Sequence, residues 1–133
     1  MGKMIELTAS DGHKLAAYRA DPAGKPRGAI VVIQEIFGVN SHIKSVADGF
    51  AKDGYVAIAP AMFDRVQKNF DVGYTPPDIE KGRELRAKIT LDMAMKDAQA
   101  AKPSVTDLTW LLTPKISWMT TMAPRGLPAG SAR

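Results

Sequence analysis

The chain has 133 residues, a formal net charge of +4 and no cysteine. That length suits one domain, and the lack of cysteine excludes disulfides, thiolate metal sites and a Cys nucleophile within it. Residues 1–101 are nearly neutral at +1 and residues 102–133 carry +3, with no Lys/Arg cluster interleaved with aromatics, so no nucleic-acid partner is expected.

Met4 to Ala9 alternates weakly and reads as a strand. Asp11-Gly12 is a hairpin signal, and Lys14 to Ala20 returns as a second strand. Pro22, Gly24, Pro26 and Gly28 then force a loop. Ala29 to Ile33 is a run of five apolar residues, mostly β-branched, as in a buried parallel strand. Ser41 to Asp53 has apolar residues at helical spacing, with Asn40 or Ser41 as cap and Gly54 as stop. Tyr55 to Ala59 is a further short strand. This strand, helix, strand order predicts a parallel, right-handed βαβ unit.

Met62 to Tyr74 reads as a loop. Thr75-Pro76-Pro77-Asp78 is a helix start, and the helix is expected to run to about Ala101 with Leu85, Ile89, Met93 and Ala100 on its apolar stripe. Residues 102–133 hold four prolines and read as an irregular tail. The N-terminus has no apolar leader, and no apolar run approaches the roughly 20 residues that span a bilayer. A cytoplasmic protein with no membrane contact is therefore expected.

Open α/β sheets place ligand sites at the carboxyl ends of their strands, which singles out Glu35. A carboxylate directly after a buried run is either partly desolvated, with its pKa raised unless a partner holds it charged, or an exposed loop residue or salt-bridge partner. Two isolated histidines, His13 after a turn and His42 at a helix start, read as surface residues and make no metal site. The six serines lie in turns, at a helix start or in the tail, and none sits in a G-x-S-x-G elbow. Gly126-Leu127-Pro128-Ala129-Gly130 has the glycine spacing but Pro at its centre.

The words Gln34-Glu35-Ile36-Phe37-Gly38-Val39-Asn40 resemble the loop after the third strand of dienelactone hydrolases (carboxymethylenebutenolidases), a group of α/β-hydrolases. The resemblance covers about residues 4–101. It implies hydrolysis of a small-molecule lactone or ester by covalent acyl transfer, with no cofactor. It implies that Glu35 pairs with and activates the nucleophile, and that the Ile36 backbone N–H is one oxyanion donor. Phe37 would shape the pocket. Arg83 resembles the Arg that binds the substrate carboxylate through its planar fork, with Arg86 as a competitor; the other reading of Arg83 is a solvated helix-surface residue paired with a neighbouring Glu. Nucleophile, triad acid and triad His have no counterpart in these 133 residues.

The fold expected on this resemblance is a truncated α/β-hydrolase: an N-terminal antiparallel hairpin plus a parallel βαβ unit, lacking the C-terminal strands. Residues 1–101 would be the hydrolase-like part and residues 102–133 an atypical tail, such as a frameshift near codon 102 would append. In that fold the third strand lies between the fourth and the nucleophile strand. A chain stopping short would expose strand 29–33 as an edge and invite self-association, unless the apolar stretch Leu108 to Leu112 covers it, where Pro103 and Pro114 limit any strand. The chain is then expected to be inactive. The alternatives are a non-catalytic α/β module that binds a small acidic ligand near Glu35 and Arg83, and a half-chain completed by a second polypeptide.

Overall fold

The computed structural model describes residues 2–102 and the strand residues 110–112. Its strands are β1 (Lys3–Thr8), β2 (Lys14–Ala20), β3 (Ala29–Val31), β4 (Val56–Pro60) and β5 (Trp110–Leu112). Its helices are α1 (Ser41–Lys52), α2 (Pro76–Ala87) and α3 (Leu91–Ala100). The strands form one mixed sheet in the order β1-β2-β4-β3-β5. β1, β2 and β4 pair antiparallel, whereas β3 lies parallel to both β4 and β5. The expected hairpin and βαβ unit are both present.

Side-chain alternation along β3 builds the layers. Val31 and Ile33 join a core with Leu85, Ile89, Ala94 and Ala98 from the α2 and α3 side. Ile30 and Val32 point the other way, into a core with Ile43, Ala47 and Ala51 of α1. A strand covered on both faces needs apolar residues at every position, which accounts for the unbroken run. The ladder continues past β3, with the Val32 N–H donating to the Ile58 carbonyl at 2.8 Å.

The helix starts follow local chemistry. The Asn40 side chain accepts from the Ile43 N–H, and Thr75 and Asp78 form a reciprocal capping box. Gly54 takes φ +99° directly after α1, the left-handed conformation that suits Gly at a stop.

Two expectations are corrected. The single helix to Ala101 is two helices, because Thr90 is extended and its hydroxyl accepts from the Met93 N–H as a fresh N-cap. Ile89, in the break, is buried. The expected exposed edge at 29–33 is absent: β5 pairs with β3 in register Ala29 with Trp110 through Val31 with Leu112. The tail is thus not wholly irregular, and the ground given for self-association through this strand is removed. Pro103 and Pro114 flank the strand and do not interrupt it. Gly126–Gly130 and the rest of the tail lie outside the described residues.

The loop after β4 sends Arg65 to two carboxylates. Its guanidinium is bidentate to Asp97 of α3, at 2.9 and 2.8 Å, and reaches Asp11 of the β1–β2 turn at 2.8 and 3.1 Å. Asp97 has no exposed side-chain surface. Removing one partner of a buried pair strands the other charge. We therefore expect Arg65→Met to lower unfolding stability by about 3–5 kcal/mol in urea titrations. Arg65→Met/Asp97→Leu should cost clearly less, and equal losses would show that the pairing is not what matters.

The Arg65 hydrogen bond also lowers the Asp11 pKa from 3.8 to about 2. A depressed carboxylate stabilises the fold above its unfolded pKa and loses that contribution as pH falls through its folded value. Asp11→Asn should accordingly flatten the loss of stability between about pH 4 and pH 2. An unchanged acid limb would remove Asp11 from this role.

Candidate active site at the carboxyl ends of the parallel strands

The loop after β3 is held by close backbone approaches that glycine permits. Gly38 has φ +85°, and a Cβ there would collide with the Phe70 carbonyl. Across this contact the Val72 N–H donates to the Phe37 carbonyl at 3.2 Å. On the other side Gly82, buried in α2, packs against Ile36, where a Cβ would strike the Ile36 carbonyl. The loop is clamped between the segment before α2 and α2 itself.

Glu35, Ile36 and Phe37 therefore sit at the carboxyl end of β3, with α2 alongside. The Glu35 side chain is exposed, as a loop carboxylate is, and not desolvated. The last ladder bond of this strand to β4 is at Val32, Gln34 keeps a buried position, and the turn closed by the Gly38 N–H on the Glu35 carbonyl begins at Glu35. Among the described residues, nothing accepts the Ile36 N–H. That leaves it available to a developing oxyanion.

Phe37 is half-buried and meets Tyr74 edge-to-face, with centroids 4.5 Å apart. The Tyr74 hydroxyl takes a hydrogen bond from the Asn40 amide at 3.1 Å. Tyr74 is exposed and escaped the sequence reading, since nothing local marks an aromatic in a loop as facing a neighbour. Arg83 directly follows Gly82, with its side chain 65 % exposed and paired to Glu80 at 3.2 Å. Such exposed i,i+3 pairs contribute well under about 1 kcal/mol, so the fork stays available to a ligand. Arg86 is less exposed than Arg83 and has an interaction of its own. His42 is exposed, while His13 is half-buried, with a buried Nε2 that lacks a partner among the described residues.

A cleft of about 240 Å³ lies nearby, lined by residues including Val39, Lys44, Asp64, Phe70 and Asp71. None of Glu35, Ile36, Phe37 or Arg83 lines it. Among the described residues no His, Cys, Asp and Glu group is placed to hold a metal, and no helix is long and apolar enough to cross a membrane.

The model of the dienelactone hydrolase family matches residues 15–114. The chain belongs to the dienelactone hydrolase family. The match runs beyond residue 101, where the motif-level resemblance ends, and takes in β5.

Among curated relatives, a Synechocystis protein provisionally named carboxymethylenebutenolidase is 46% identical over 88 residues, 65% of this chain and 36% of the relative. One from Methylorubrum extorquens, provisionally given the same name, is 32% identical over 139 residues, 96% of this chain and 47% of its own length. The chain thus spans less than half the length of either. A crystal structure from Klebsiella pneumoniae, provisionally named a dienelactone hydrolase, superposes with TM-score 0.63 at 27% identity. It covers 84% of this chain and 49% of that one. The α/β sheet is accordingly a partial α/β-hydrolase sheet. In the sheet order of that fold, β5 stands beside β3 where the resemblance puts the nucleophile strand.

The glycine contacts are open to test in this family member. Gly→Ala inside a helix ordinarily gains about 0.5–1 kcal/mol. Gly49 of α1 has open space where a Cβ would go, so Gly49→Ala should show that gain. Gly82→Ala should reverse the sign and lower the melting temperature, because the added methyl displaces the Ile36 carbonyl. A gain at both positions would mean that α2 does not clamp the loop.

Proposed function

We propose that residues 35–37 and Arg83 form the oxyanion and substrate-carboxylate side of a dienelactone-hydrolase-type site for a small enol-lactone ester. Glu35 would stand beside the nucleophile, the Ile36 N–H would meet the carbonyl oxygen, Phe37 would border the acyl group, and the Arg83 fork would take a substrate carboxylate. The observation that carries this reading is the Ile36 N–H at the carboxyl end of β3, unpaired among the described residues, in a chain of this family.

The 133 residues on their own are proposed to be inactive. After β5 the sequence continues Thr113-Pro114-Lys115, with no elbow and no cysteine. In this reading residues 1–101 with β5 form the family-like unit, in the cytoplasm, and the remaining tail adds no triad residue. A half-chain completed by a second polypeptide is not adopted, since β5 already lies where the added strand would pair. The non-catalytic binding module remains the second reading, favoured by the exposed and only weakly held Arg83.

The test is turnover beside binding. Purified chain should hydrolyse neither dienelactone nor aryl acetates above buffer. A hydrolase stripped of its triad keeps only about 10³–10⁴ over water, and that residue also needs a complete oxyanion hole. A small lactone carrying a carboxylate should still raise the melting temperature. Arg83→Ala should abolish that rise and Arg83→Lys weaken it. Saturable turnover would overturn the inactivity. A rise unchanged in Arg83→Ala would overturn the carboxylate role.

A further inference from the structure

The Gln34 side chain is fully buried, and both ends of its amide are engaged. One end meets the Met62 N–H at 2.8 Å, beyond β4, and the other meets the Glu35 carbonyl at 3.1 Å. The Met62 N–H can only donate and the Glu35 carbonyl can only accept. The amide orientation is therefore fixed: Oε1 faces Met62 and Nε2 faces Glu35.

The Glu35 carbonyl and the Ile36 N–H belong to one peptide plane. In a trans peptide these two groups point in opposite directions. Drawing the Glu35 carbonyl toward a buried amide therefore turns the Ile36 N–H the other way. The Gly38 N–H adds a weaker hold on the same carbonyl, at 3.4 Å. The following peptide is fixed separately, by Gly82 against the Ile36 carbonyl.

We infer that Gln34 is the positioning residue for the Ile36 N–H: it binds no substrate, and it sets the direction in which this donor meets an anionic oxygen. The inference rests on reading the loop as the oxyanion side of an ester-hydrolase site. The plainer role, a cross-tie between the ends of β3 and β4, uses only the Met62 contact. The two roles separate because they use opposite ends of one amide.

Gln34→Glu, at a pH where the carboxyl is ionised, keeps an acceptor for Met62 and loses the donor to Glu35. Gln34→Met loses both. The measurement is N–H residual dipolar coupling and amide hydrogen exchange on the full ¹³C,¹⁵N-labelled chain. In the wild type, the Ile36 amide should exchange within about tenfold of an unprotected peptide, with Met62 protected. In Gln34→Glu the Ile36 coupling should change while Met62 stays protected, and in Gln34→Met both should change.

An Ile36 coupling unchanged in both variants would overturn the inference and leave the cross-tie. If neither variant folds, the wild type decides. A coupling through the hydrogen bond from Gln34 Nε2 to the Glu35 carbonyl carbon supports it, and an absent coupling or a strongly protected Ile36 amide overturns it. No turnover is read, so an inactive chain leaves this result untouched, and a misdirected N–H leaves the Arg83 binding test untouched.

Discussion

Asp97 carries a charge with no exposed side-chain surface, and Arg65 is what lets the chain bury it. An isolated carboxylate in such a place would cost several kcal/mol in lost hydration. A guanidinium fork returns two charge-assisted hydrogen bonds in one plane and has donors left over for Asp11. The turn between β1 and β2, the loop after β4 and helix α3 are thereby fixed to one another. On the far side of β4, β5 removes the edge from β3. Other polar ties are more local: the Tyr18 hydroxyl donates to Asp48 at 2.8 Å, joining β2 to α1, and burial with that bond raises its pKa.

The candidate site is built mostly of backbone. Gly38 lets the loop touch the Phe70 carbonyl and Gly82 lets α2 touch the Ile36 carbonyl. Close backbone approach needs residues without a Cβ, and it places N–H and C=O groups more rigidly than long side chains could. Side chains then line the rim: Phe37 against Tyr74, and Tyr74 bonded to the Asn40 that also caps α1. A change at the α1 cap would therefore reach the rim through one shared amide.

Several features were legible in the residues. Asn40, Thr75 and Gly54 mark helix ends because caps are satisfied within three or four residues. The apolar run at 29–33 marks a strand buried on both faces, and the words from Gln34 to Asn40 mark the family. The local signal failed where a polar group's partner was distant in sequence. Arg65 and Asp97 are 32 positions apart, and neither stands out among 32 charged residues. For Glu35 the residues left burial and exposure both open, and the turn that begins there decides for exposure.

The sequence by itself determined the α/β class, the hairpin, the βαβ unit, the family-bearing loop and the absence of a nucleophile elbow. These depend on periodicity, turn chemistry and the presence or absence of residue types, which are local properties. Only the tertiary structure decided that the long helix breaks at Thr90, that β5 covers β3, and that Gln34 faces both Met62 and the Glu35 carbonyl. Each depends on which distant backbone groups come within hydrogen-bonding distance, and that is settled by how the layers pack around a buried charge and a shared sheet.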